Sequence, residues 1–368
     1  MPAARHVQPE DGARVWRALD QTGRRGVAEG VAPGMVILVG NSREVLFHRA
    51  YGSRALVPTR LPMLPDTVFD VASLTKPIAA TTAMMLLARD GRVVLDDPVS
   101  AVIPEFSEGP KSAVTFRQLL NHTSGLPGWK LYYEAVLAQI HAEPLEAAPG
   151  EKALYSDLGF ILLGEAVERL TGKRLDRFCR DEIFTPLGLP STFFVDLSPS
   201  SCGPRAASVH TVAATEDCPW RGKVLCGEVH DDNAFAMGGV AGHAGLFSSA
   251  PDIHRFLCFL GHCRDDAEPD FLPGAILREF LEAERPLPGQ THVLGWDTPS
   301  PEGSSSGRHF SPKTVGHLGF TGTSIWWDLE RDVHVVLLTN RVHPSRDNDV
   351  IREFRPRVHD AAMDALFS

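Results

Sequence analysis

A serine three residues ahead of a lysine, Ser73-Leu74-Thr75-Lys76, opens an apolar run of helical length, FDVASLTKPIAATTAMMLLARDG. On a helix, positions i and i+3 share a face, so the Lys76 side chain can reach the Ser73 hydroxyl. A serine hydroxyl becomes a strong nucleophile when an adjacent base takes its proton. Lysine is normally charged near neutral pH, but burial lowers its pKa, and the flank of Val71, Ala72, Pro77, Ile78 and Ala79 can supply that burial. The chemistry on offer is that of an activated serine.

Two more motifs follow in order. Tyr155-Ser156-Asp157 stands just before a helical segment, and His317-Leu318-Gly319 runs into Phe320-Thr321-Gly322 on an expected strand. Around them lie TFRQLLNHTSGLPGW (Thr115–Trp129), PGEKALYSDLGFILLGEAVERLTG (Pro149–Gly172), AGHAGLFSSAPDIHRF (Ala241–Phe256) and GHLGFTGTSIWWD (Gly316–Asp328). With these motifs and phrases the sequence resembles the serine β-lactamase and penicillin-binding-protein superfamily. Within it the chain is similar to the class C-like branch, which includes D,D-peptidases and family VIII carboxylesterases. The resemblance covers roughly residues 30 to 345.

The resemblance implies roles. Ser73 is the acylated nucleophile, and Lys76 and Tyr155 share the proton transfers. Tyrosine titrates near pH 10, so a basic Tyr155 needs a nearby cation. Lys76 is the candidate, and the two would titrate as a pair. The backbone N–H groups of Ser73 and Phe320 match an oxyanion hole, whose donors stabilise a tetrahedral intermediate. Asp157, His317, Gly319 and Phe320 are expected to contact substrate. No metal or cofactor is implied.

Two positions depart from the family pattern. Asp157 stands where asparagine is common, and an ionised carboxylate cannot donate a hydrogen bond as an amide can. His317 stands where lactamases and peptidases carry lysine, and histidine is mostly neutral at pH 7. Both changes weaken recognition of an anionic β-lactam or a D-Ala carboxylate and suit a neutral ester. Lys313-Thr314 resembles the start of K-T-G, but Val315 follows, and only the His317 frame places Thr321-Gly322 correctly. The expected activity is therefore a carboxylesterase acting through an acyl-enzyme on small or short-acyl esters. The alternatives are a D,D-peptidase, D-amino-acid amidase or β-lactamase, or a non-catalytic binding protein on the same scaffold.

Several of these residues also have plainer uses. Asp157 suits a helix N-cap, Tyr155 a buried packing position, and His317 a strand-edge hydrogen bond. Asn121–Gly125 reads as a turn supporting the site. Glu228, His230, Asp231, Asp232 and His243 carry the side chains of a metal site, but loop ion pairs are the simpler expectation. Cys258 and Cys263 near His254 and His262 likewise read as unrelated thiols and imidazoles. Trp220 could line a pocket or pack in the core. Trp326 and Trp327 alternate on one strand, so at most one would face a cleft.

The elements that must position these groups follow from the pattern. Val15, Trp16 and Leu19 mark a short N-terminal helix. Met35–Gly40 and Glu44–Tyr51 form a hairpin turned at Asn41-Ser42-Arg43. A helix spans about Ser73 to Asp90, with Pro77 in its first turn, where proline is tolerated. Residues 92–300 read mostly as helices and Pro/Gly loops, with a clear helix at Asp157–Leu170 stopped by Gly172. Pro190 to Asn233 is long and irregular, and Pro299 to Arg308 is a polar loop. Strands return at Val315–Gly319, Ser324–Asp328 and Val333–Thr339. A closing helix carries Ile351, Phe354, Val358, Ala361 and Ala365 at helical spacing. The expected fold is α/β (α+β) of the β-lactamase/transpeptidase type: an antiparallel sheet flanked by terminal helices, plus an all-helical domain, with the site between them. The expected domains are 1–70 with 300–368, and 71–299.

The chain has 368 residues, 43% of them hydrophobic and 22% charged, with a net charge of −10. That composition is globular. The negative balance gives no electrostatic case for nucleic acid or an anionic membrane. The N-terminal stretch lacks an apolar core of the secretory kind, no apolar run is long enough to span a bilayer, and the six cysteines form no C-x-x-C. A cytoplasmic protein with reduced thiols and a small-molecule ester or amide substrate is the expectation.

Overall fold

The computed structural model describes residues 15–198, 211–285 and 287–367. Its main sheet is built from both ends of the chain. β1 (Gly34–Gly40) and β2 (Val45–Ala55) form the expected hairpin, continued by the short β3 (Leu61–Pro62). The hairpin turn is closed by the Asn41 side chain, whose Oδ1 accepts from the N–H groups of Arg43 and Glu44. Within the middle of the chain lie four two-residue strands, β4 (Phe69–Asp70), β5 (Phe193–Phe194), β6 (Asp217–Cys218) and β7 (Lys223–Val224), and then β8 (Leu246–Ser248). β9 (Thr314–Leu318), β10 (Ser324–Asp328) and β11 (Val333–Thr339) complete the set. The order across the main sheet is β3-β2-β1-β11-β10-β9. β1 and β11 pair antiparallel, with Met35 opposite Thr339 and Gly40 opposite His334.

β1 is apolar along its whole length (GMVILVG) and buried at every residue. The reason is that both faces of the sheet are covered. Met35, Ile37, Val39, Val335 and Leu337 pack against the terminal helices α1 (Arg17–Ala28) and, at the other end of the chain, Ile351–Phe367. Val36, Leu38, Val336 and Leu338 belong to the larger core shared with the middle segment. In that segment lie α2 (Thr82–Arg89), α3 (Asp157–Thr171) and α4 (Ala250–Arg264), and the C-terminal helix Ile351–Phe367 is α5.

Four features differ from expectation. The helix begun at Ser73 is not uniform: Ala72–Leu74 is a tight 3₁₀ turn, Lys76–Thr81 is wound wide as a π segment, and α2 follows. Pro77 falls in the wide section, where its missing N–H leaves a gap in the ladder. The middle of the chain also contains strands, β4-β8-β5 in one small sheet and β6-β7 in a ribbon. Strands of two or three residues are too short to show an alternating pattern. Phe320-Thr321-Gly322 forms the β9–β10 turn rather than a strand. Trp326 and Trp327 are both buried and neither lines the cleft, in keeping with the expectation of at most one. Trp220 is an exposed residue of the β6–β7 turn that hydrogen-bonds Asp232.

Candidate active site

The site begins where β4 ends. Asp70 is buried, and its two carboxylate oxygens accept from Ala72 N–H at 2.9 Å and His230 N–H at 2.7 Å. The first of these holds Ala72 in the left-handed region, at φ 49°. An alanine is strained there, and Ser73 follows directly. Thr321 Oγ1 donates to the Asp70 carbonyl at 2.8 Å, and Thr323 Oγ1 to the Val71 carbonyl at 3.0 Å. The β9–β10 turn is thereby laced to the segment that carries Ser73. Gly319 makes this approach possible: a Cβ there would fall 2.0 Å from Thr323 Oγ1 and 2.5 Å from the Val71 carbonyl oxygen. The Phe320 N–H, next in the turn, has no acceptor among the described hydrogen bonds.

Lys76 is fully buried beneath this turn. Its Nζ donates to Ser73 Oγ at 3.0 Å, Asp157 Oδ1 at 2.6 Å and the His243 carbonyl at 3.2 Å. An ammonium has three protons to donate, and here all three have acceptors. Burial alone would lower the lysine pKa, as the sequence suggested. The Asp157 carboxylate and Tyr155 outweigh it, and the pKa is raised. The resting Lys76 is therefore a cation whose proton points at the serine oxygen. Tyr155, whose ring centroid lies 4.9 Å from Nζ, is raised as well: burial disfavours its phenolate more than Lys76 favours it, and Asp157 adds repulsion. The resting tyrosine is a neutral phenol.

Asp157 is the first residue of α3 but not its cap. Ser156 fills that place, its Oγ accepting from the Gly159 N–H. That leaves the Asp157 carboxylate to Lys76. Three imidazoles pack round the tyrosine: His122 at 4.5 Å, His292 at 5.5 Å and His317 at 6.0 Å between ring centroids. Burial, then the neighbouring imidazoles and Lys76, push the pKa of His122 and His317 well below the ordinary histidine value. Burial lowers that of His292 against the pull of Asp297. All three are neutral at pH 7. His317 Nδ1 must donate to the Leu318 carbonyl, 2.9 Å away, which leaves Nε2 as an acceptor. His122 Nδ1 accepts from the Ser156 N–H at 3.0 Å, so its Nε2 carries the proton.

These groups line a cleft of about 690 Å³. Ser73, Tyr155, Asp157, His317, Gly319 and Phe320, all named from the sequence, reach it, with Lys76 below. Phe320 and Trp129 stand half-exposed in its wall. Lys313 is exposed on the approach to β9 and does not line it. The sequence reading missed the far wall, where Arg341, Arg352 and Arg355 converge. Arg341 donates to the Phe320 carbonyl at 2.7 Å, and Arg355 to the carbonyls of Gly319 and Thr323 at 2.8 and 2.9 Å. Among the described residues none of the three forms an ion pair. Burial, then repulsion from neighbouring arginines, lowers the pKa of Arg341 and brings that of Arg355 to about 9. With a pKa of about 9, Arg355 remains a cation at neutral pH. No motif marks the three in the sequence: Arg341 lies just after β11, and Arg352 and Arg355 at the start of α5, behind the turn. The acidic loop residues are spent on pairs: Asp231 with His243, Asp232 with Arg221 and Arg346, and Glu228 with Arg221 and Lys223.

The arrangement can form and break an ester or amide bond at Ser73. It has a serine hydroxyl, a cation holding it, a carboxylate on that cation and a turn with a backbone N–H beside it. Comparison with known proteins gives the following. The beta-lactamase family description matches residues 19–358. A protein of Escherichia coli K12 named for D-alanyl-D-alanine carboxypeptidase activity is 30% identical over 84% of this chain and 79% of its own. N-acetylmuramyl-L-alanine amidase of Bacillus subtilis 168 is 31% identical over 89% and 81%. Among solved structures, EstCE1, a hydrolase with promiscuous acyltransferase activity, superposes with TM-score 0.74 at 21% identity, over 96% of this chain and 99% of that one. A penicillin-binding protein homologue from Caulobacter crescentus gives TM-score 0.73 at 21% identity, over 99% and 100%. Those two likenesses are of fold.

Proposed function

The chain belongs to the beta-lactamase family, as a serine hydrolase, and from that premise we propose that Ser73 is acylated by an ester or amide substrate carrying a carboxylate. The observation that carries the acyl-enzyme is Lys76 Nζ, 3.0 Å from Ser73 Oγ and 2.6 Å from the Asp157 carboxylate. Lys76 passes a proton to Asp157 and takes the serine proton as Oγ attacks the carbonyl carbon. The oxyanion forms against the N–H groups of Ser73 and Phe320. Lys76 and Tyr155 then deliver a proton to the leaving alcohol or amine, and acyl-Ser73 remains. Water attacks the acyl carbon on the second half-reaction, its proton returns through the same groups, and the acid leaves. Such donors and proton relays are each worth orders of magnitude in rate.

The carboxylate preference rests on Arg341, Arg352 and Arg355, cations in the cleft wall without ion-pair partners among the described residues. Charge-assisted contacts of this kind favour a planar carboxylate. From the end of β11 and the start of α5 they supply the positive charge that neutral His317 does not. A carboxypeptidase substrate ends in a free carboxylate by definition, which fits the name of the Escherichia coli relative. The short-acyl carboxylesterase is the second reading, supported by the neutral imidazoles beside Tyr155.

A matched panel tests both. The substrates are p-nitrophenyl butyrate, a peptide ending in D-alanyl-D-alanine, the same peptide as its C-terminal amide, and nitrocefin. Turnover of the free-acid peptide well above its amide supports the first reading, and ester turnover alone the second. Equal rates for wild type and Ser73→Ala, with no acyl adduct by intact mass, would sink both.

A further inference from the structure

A second constellation lies on the same face of the main sheet, away from the cleft. His254 and Cys258 stand one turn apart on α4, and His334 lies on β11 beneath them. His254 Nδ1 is 2.8 Å from His334 Nε2. Cys258 Sγ is 3.7 Å from both ring nitrogens of His254. A donor atom from each of the three lies within 4.8 Å of the others. His254 and Cys258 are half-buried and His334 is buried.

The backbone makes room for it. Gly40 is the cross-strand partner of His334. A Cβ there would meet His254 Nδ1 at 2.7 Å and His334 Nε2 at 2.8 Å. Any other residue at position 40 would therefore separate the rings. Imidazole ligates metal in its neutral form. Two neutral rings with nitrogens face to face share one N–H between them, and that proton has a place on the remote nitrogen of its own ring.

We propose that His254, Cys258 and His334 bind Zn²⁺, with the fourth position open to water. A tetrahedral zinc with N and S ligands holds N···N at about 3.3 Å and S···N at about 3.6 Å. The observed spacing reaches this by parting the two rings by about half an ångström and drawing in Cys258 Sγ, which lies within 4.8 Å of the His334 donor nitrogen. The ion displaces the thiol proton to solvent as the Zn–S bond forms, and the shared imidazole proton moves to the remote ring nitrogen. The thiol now donates to the Asn41 carbonyl at 3.1 Å, in the β1–β2 turn, so the ion would staple α4 to the sheet at that end. Borderline imidazole and thiolate donors in this geometry favour zinc over magnesium or calcium. The sequence places Cys258 beside Cys263 and His262. Cys263 is instead buried in the core, and the third ligand comes from a strand far along the chain.

The test is titration of the full-length, chelator-stripped protein with Co²⁺, followed by displacement with Zn²⁺. The expected result is one equivalent bound with a thiolate-to-cobalt charge-transfer band, removed by Zn²⁺, and a Tm raised by zinc. Cys258→Ser should abolish the band, and His254→Gln should weaken binding by about a hundredfold. Both positions are half-buried and both variants should retain the wild-type circular dichroism. No thiolate band with the wild type, or a band that persists in Cys258→Ser from the other cysteines, overturns the proposal.

Discussion

Ser73 is held by a charge, not by a free base. Lys76 spends its three protons on Ser73, Asp157 and a carbonyl, and the carboxylate at 2.6 Å raises its pKa against burial. Removing that carboxylate leaves burial as the dominant influence, so the lysine pKa must fall. Asp157→Asn is therefore expected to move the rising limb of the kcat/KM–pH profile to lower pH, since the amine appears earlier. A limb that stays in place, or moves up, removes the pair from the titration. Arg352 is exposed at the far wall of the cleft and forms no ion pair among the described residues. A substrate carboxylate engaged by it gains a charge-assisted contact, so Arg352→Gln should raise KM for the free-acid peptide about tenfold and leave the neutral ester unchanged. Parallel losses on both substrates would place Arg352 in structure rather than recognition.

At the scale of elements, the turn between β9 and β10 matters most. It carries Phe320, is laced to residues 70 and 71 by two threonines, and is braced from behind by Arg355. Gly319→Ala inserts a methyl against a backbone carbonyl that cannot yield. The expected loss in kcat/KM is about a hundredfold or more, as for a displaced oxyanion donor, with about 1–3 kcal/mol of stability. A variant that loses stability but keeps its rate would separate the turn from the reaction. The elements themselves were largely legible: the hairpin, the three late strands, α3 and α5 all follow from apolar period and turn residues. The residues of the Ser-x-x-Lys, Tyr-x-Asp and His-x-Gly motifs converge because each sits at an element end, where spacing is readable. What was not legible depends on distant chain. The direction of the Lys76 pKa hinges on Asp157, which the sequence read as an N-cap or a substrate contact, because capping by Ser156 instead is a matter of one residue of register. Arg352 and Arg355 belong to an ordinary amphipathic helix and Arg341 follows β11, and only their packing behind the β9–β10 turn brings them to the cleft.

At the scale of the molecule, the loop after β5 is tied to the chain's last loop by charge. Glu216 is buried and meets Arg346 and His230. Burial alone would raise its pKa, but these partners bring it down from 4.5 to about 2. A depressed carboxylate stabilises the fold fully above its unfolded value and loses that contribution as pH falls toward the folded one. Urea unfolding should therefore show stability declining between about pH 4.5 and 2, by at most about 3 kcal/mol from this group. Glu216→Gln should be less stable than wild type at pH 7 and flatten that decline; an unchanged slope would assign the acid sensitivity elsewhere. The pairing of β1 with β11 has a consequence for the order of events at the ribosome. A nascent chain that already carries Ser73, Lys76 and Tyr155 has an open, wholly apolar β1 edge until β11 emerges, and such edges recruit other chains. The Phe320 turn arrives almost as late. A chain cut short before residue 333 is thus expected to be both inactive and adhesive.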